Sequence, residues 1–273
     1  LRSKVDSTTQ ISAILLLLLV LVVNVIFSRR RRQAFSLRSI PAYAILTPTI
    51  GASIEANHPM HLSYGSAGLG GNSTVLALAS SELFYHVARR ATIGDASPIL
   101  TVSDTSAIPL AHDTLRRAYA SQDLLIRYRA GNVRWYPSGA RSLVFAVALS
   151  AMLRDDDVHA NVLAGSFGAE LALIADTAIR RDQVLIAASD QPEGQAIAYA
   201  TSSELLIGEE MFAARAYLDD DPRASGHAAA MDTLRWLLIA FIFTAALSAG
   251  NEGFRQAVGE LLAQITRLIQ GGG

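Results

Sequence analysis

Apolar positions fall into distinct regimes along the chain. From Ile11 to Phe27, seventeen residues pass without a charge, ISAILLLLLVLVVNVIF. As a helix that stretch covers about 25 Å, and Thr8, Thr9, Gln10 and Ser28 extend it toward the roughly 30 Å of a bilayer core. A retained anchor is preferred to a cleaved signal peptide, because no small-x-small site follows and Arg29, Arg30, Arg31 and Arg32 come next. A second segment, LRWLLIAFIFTAALSAG from Leu234 to Gly250, has no polar stripe, which favours a second span over a core helix. Beyond it Phe254, Val258, Leu261, Ile265 and Leu268 recur at spacings of four and three, widened by Leu262. That spacing predicts an amphipathic helix, lying on the membrane surface or forming a seam between subunits.

Between these ends the pattern changes to short apolar runs alternating with helical periodicity. Strands are expected at Met60 to Tyr64, Pro98 to Ser103, Val133 to Tyr136, Val158 to Ala164, Gln183 to Ala188 and Glu204 to Ile207. A long helix is expected over Ser73 to Arg90, with Leu76, Leu78, Leu83 and Phe84 on its apolar side. Another over Ser138 to Arg154 carries LVFAVALSAML, too short for a span and expected to be buried. This alternation predicts an α/β, Rossmann-like domain over 29–230, its mostly parallel sheet covered by helices on both faces. It would be flanked by the N-terminal and C-terminal transmembrane helices.

Composition agrees with an anchored globular domain: 51% of residues are hydrophobic and 17% charged. The net charge of -1 gives no field that steers the chain to nucleic acid. Basicity is local. Arg29 to Arg32 outweigh Arg2 and Lys4, so the N-terminus is expected outside and the α/β domain at the cytoplasmic face of the cell (inner) membrane. Beside a span the arginine run reads as a topology signal and anionic-lipid contact rather than a nucleic-acid site. With no cysteine, thiolate chemistry and Cys-based metal sites are excluded.

The sharpest chemical cue is the turn HLSYGSAGLGGNST, with Gly65, Ser66, Gly68, Gly70 and Gly71. Glycines let a backbone approach a phosphate while the next helix aims its N–H groups at the anion. Asp104, ending the next strand, stands where an acid can bond a ribose hydroxyl. The order G-x-x-G-x-G-G is neither the dinucleotide fingerprint nor a P-loop. A tight turn with close helix-sheet packing is the plainer reading. A similar turn, NVLAGSFGAEL, carries Gly165, Ser166 and Gly168, but Glu170 would repel an anion there. Glu209 and Glu210 suit a helix start, and Asp155 to Asp157 and Asp219 to Asp221 read as solvated helix ends. His58, His61, His86, His112, His159 and His227 lack metal-ligand spacing, so no metal is expected and no cofactor is specified.

GSAGLGGNST, ANVLAGSFGAE and ELLIGEEMFAARAYLDDDP, in that order before a C-terminal apolar segment, resemble a family of bacterial and archaeal membrane proteins defined only as a domain of unknown function. LIGEE followed by FAA and AYL is the most specific part of the likeness. The resemblance implies a Rossmann-like domain beside membrane helices and carries over no catalytic residue. After Asp190 the chain reads QPEGQAIAYA, where the family leads one to expect a more aromatic, proline-containing stretch. The functional expectation is a membrane-anchored accessory module that forms homo-oligomers or joins other membrane subunits. The alternative is a nucleotide or dinucleotide-binding protein using the Gly65 to Gly71 turn.

Overall fold

Residues 38–219, 233–239 and 242 are described by the computed structural model. The chain divides into a unit of Arg38–Ala224 and a second of Leu1–Leu37 with Ser225–Gly273. In the second, 233–239 and 242 are helical. The expected span Ile11 to Phe27, Arg29 to Arg32, most of the expected span Leu234 to Gly250, and the stripe Phe254, Val258, Leu261, Leu262, Ile265 and Leu268 lie outside the described residues. Among the described residues no helix is long and apolar enough to cross a membrane.

The first unit opens with helix α1, Pro41–Ala56. Proline fits its first turn, where no helical acceptor is needed for the missing N–H. Asn57, at φ +55, turns the chain out in the left-handed region. Strand β1, Met60–Gly65, leads into α2, Thr74–Ala91, and β2, Ile99–Val102. Helix α3, Ile108–Ala120, precedes β3, Val133–Trp135. The second half repeats the alternation with α4, Leu143–Asp155; β4, Ala160–Ser166; α5, Leu171–Ile179; and β5, Val184–Ser189. It closes with α6, Pro192–Thr201; β6, Glu204–Leu205; and α7, Ala214–Leu218.

All six expected strands are present and every pairing is parallel, in the order β3-β2-β1-β4-β5-β6. That is the strand order of doubly wound dinucleotide-binding sheets, in which the direction of winding reverses between the first and fourth strands. Two apolar clusters fill the two faces. Leu62, Tyr64, Val102, Val162 and Ile186 pack with α1, α2, α3 and α7. Ile99, Leu163, Leu185 and Ala187 pack with α4, α5 and α6. Sandwiched in this way, β1 and β4 are buried at every position.

Burial on both faces forces polar residues inward. His61, Ser63, Thr101 and Asn161 are all fully buried. His61 Nδ1 meets Asn161 Oδ1 at 2.9 Å and Nε2 meets Thr101 Oγ1 at 2.9 Å. Asn161 Nδ2 donates to Gln183 Oε1 at 2.9 Å, and Gln183 Nε2 donates to the Leu153 carbonyl at 3.1 Å. Starting from that carbonyl, each amide has its direction fixed. His61 must therefore donate from Nδ1, while the Thr101 hydroxyl beside Nε2 donates to Ser63 Oγ at 2.8 Å.

Two helical expectations require correction. Leu78 is 52% exposed, because the buried face of α2 runs through Leu76, Ser80, Leu83, Phe84, Val87 and Ala91, and Leu78 lies off it. The apolar run of α4 is only half buried. Phe145, Leu149, Met152 and Leu153 face the core while Leu143, Val144 and Val147 face outward, Val147 being 61% exposed.

Candidate functional site

The two glycine-serine turns meet at the carboxyl ends of the central strands, where the sheet order reverses. A doubly wound sheet places its ligand crevice there, outside the strand ends. Here the turns pack directly on one another. The Ser66 N–H and hydroxyl both donate to the Ser166 carbonyl, at 2.9 and 3.0 Å. A β-carbon on Gly65 would collide with that same carbonyl, and one on Gly165 with the Tyr64 carbonyl. Both glycines are thus required by backbone-to-backbone contact across β1 and β4, and Gly65 by its φ of +58 as well.

The amides that would cradle an anion already have acceptors. Gly68 N–H donates to Ser73 Oγ at 3.1 Å, Leu69 N–H to Ser106 Oγ at 2.7 Å, and Gly70 N–H to Thr74 Oγ1 at 2.9 Å. Asp104 supports this arrangement. Its Oδ1 accepts from the Ser106 amide at 2.8 Å and hydroxyl at 2.7 Å, capping the short 3-10 turn Thr105–Ala107. A β-carbon on Gly68 would come within 2.5 Å of the Asp104 carboxylate. A phosphate would have to displace three hydroxyls and approach that carboxylate. Gly70 and Gly71, in contrast, have open space around them.

The second turn is closed by its own acid. Glu170 is buried and takes the Gly168 N–H on Oε1 at 2.9 Å. Gln191 Nε2 donates to Ser166 Oγ at 2.9 Å, and Ser189 Oγ donates to the Phe167 carbonyl at 2.6 Å. The LIGEE segment is fastened in a comparable way. Glu210 accepts the Ile207 N–H at 2.9 Å and pairs with Arg38, while Tyr43 donates to the Glu210 carbonyl at 2.7 Å. Of the acidic helix ends, Asp155 and Asp157 are exposed, as solvated ends would be, and Asp220 and Asp221 lie outside the described residues; the others, Asp156 and Asp219, have partners. Asp156 takes a two-pronged bond from Arg134 at 2.5 and 2.9 Å, Asp157 lies 3.1 Å from His58, and Asp219 lies 2.9 Å from Arg89.

A second polar concentration lies at the opposite, amino end of the strands. A cavity of about 520 Å³ opens there between the segments that enter β1, β2 and β3. Its lining includes Arg127, Arg129, Arg134, Asn132, Asp95 and Asp156. The sequence signal for it is the run RYRAGNVR, in which Arg127 and Arg129 stand before β3 and Arg134 lies within it. No motif pointed to it.

The model of a family described as Domain of unknown function (DUF6754) matches residues 3–257. No curated protein and no solved structure matches the chain.

Proposed function

Since the chain belongs to that family, whose description assigns no activity, we propose that it is a membrane-anchored accessory module whose α/β domain assembles with a second copy of itself. The observation that carries this reading is the outward apolar stripe of α4. Leu143, Val144 and Val147 share one helix face, and the Ser150 hydroxyl bonds the carbonyl of Leu173, itself exposed on α5. Contiguous apolar surface of this kind is a feature of association sites. Immediately before the stripe, Arg141 (φ +51) and Ser142 (φ +53) hold the left-handed region without glycine, a strained backbone of the sort found at functional surfaces. The anchor is supported by the uncharged stretch Ile11 to Phe27 and the arginines after it.

The full-length chain in an uncharged detergent is expected to scatter light as a dimer or larger assembly. Placing a cation in the seam with Val147→Lys should weaken association at least about tenfold. A wild-type monomer at all concentrations, or an unchanged assembly in the variant, sinks the proposal.

The strand order favours a second reading, a nucleotide bound over Gly65 to Gly71 with Asp104 nearby. A nucleotide would then raise the melting temperature, and Gly70→Val would abolish the rise. No shift with any nucleotide removes this reading.

A further inference from the structure

The cavity at the amino ends of the strands has an uneven supply of partners. Arg134 is consumed by Asp156 through two bonds, at 2.5 and 2.9 Å. Arg127 donates to the Gly94 carbonyl at 2.6 Å and reaches Asp95 at 3.2 Å, but the Asp95 side chain is 92% exposed, so water largely screens that pair. Arg129 has no acidic partner among the described residues, and three lining arginines against two aspartates leave one net positive charge. The Asn132 amide nitrogen is buried without an acceptor, a loss a protein ordinarily avoids. Arg129 and Asn132, the residues that carry the unpaired guanidinium and the unpaired amide donor, thus both line the cavity.

We propose that this cavity binds a phosphate monoester, with Arg129 contacting the anion and Asn132 supplying a neutral donor. Its volume lies in the range of small-molecule sites. A planar guanidinium suits two oxygens of one phosphate. Ile126, on the rim and 96% exposed, gives the entrance an apolar lip that can meet the hydrocarbon side of a ligand. A phosphate monoester can come from a soluble metabolite or from a lipid headgroup. Both present the same dianion, and they differ in whether an acyl chain follows it.

The test uses the full-length protein in an uncharged detergent, titrated calorimetrically with inorganic phosphate and, separately, with a soluble short-chain phosphatidic acid. Both probes are expected to bind saturably. Arg129→Gln, at an exposed side chain, should weaken both by about tenfold, while Arg154→Gln, away from the cavity, should not. Tighter binding of the phosphatidic acid assigns the site to a lipid headgroup, and equal binding assigns it to a soluble phosphate compound. Absence of binding by either probe, or equal binding by wild type and Arg129→Gln, overturns the proposal.

Discussion

His61 shows how far a single buried side chain can control the response to acid. Burial, only partly opposed by its bond to Asn161, lowers its pKa from the ordinary 6.5 to about 4. Between those values the unfolded chain takes up a proton that the folded chain refuses. Stability is therefore complete above pH 6.5 and is lost as pH falls toward 4, by roughly 3 kcal/mol from this group. Urea midpoints measured from pH 7.5 to 4.5 should fall more steeply for wild type than for His61→Gln. Equal slopes would mean that another group titrates. The pairing itself was not readable in the sequence. M-H-L-S-Y alternates as a half-exposed strand does, and only the partners Thr101 and Asn161, brought in from two other strands, make its polar face an interior one.

At the level of elements, β1 and β4 are held in register by two turns too close to admit side chains. Gly165→Ala would drive a methyl into the Tyr64 carbonyl and is expected to cost about 2 kcal/mol. Gly71→Ala meets nothing within 4 Å and should stay within about 0.5 kcal/mol of wild type. Thermal unfolding of the pair separates the two kinds of glycine, and equal melting temperatures would contradict the packing described. The sequence showed both turns and the strands around them, because glycine clusters and runs of β-branched and aliphatic residues are local signals. It did not show helix α1, where Pro48 interrupts a segment that lacks a clear apolar stripe. Nor did it distinguish an open cradle from a filled one, since Ser73 and Thr74 become acceptors only once the turn folds back on the start of α2, and Ser106 only once the turn and the strand end are side by side.

For the whole molecule, class was legible and strand order was not. Alternating elements indicate a parallel sheet wherever they occur, whereas nothing near Met60 announces that its partner is Ala160. The cavity arginines stand close together in the chain, but Asp95 and Asp156, which face them, arrive through topology rather than spacing. Self-association belongs to this scale too, because α4 buries one face in its own domain and leaves Val147 on the other. The Val147→Lys measurement thus asks whether that second face has a partner.

The β1–β4 seam also sets a timetable for synthesis. His61 and Asn161 are 100 residues apart, so on a ribosome adding roughly 5–20 residues per second β1 waits about 5–20 s for its neighbour. During that interval β2 can cover one side of β1, while the other presents bare amides and carbonyls. A nascent chain stalled in this window would offer chaperones, or another nascent copy, an unguarded template for strand exchange.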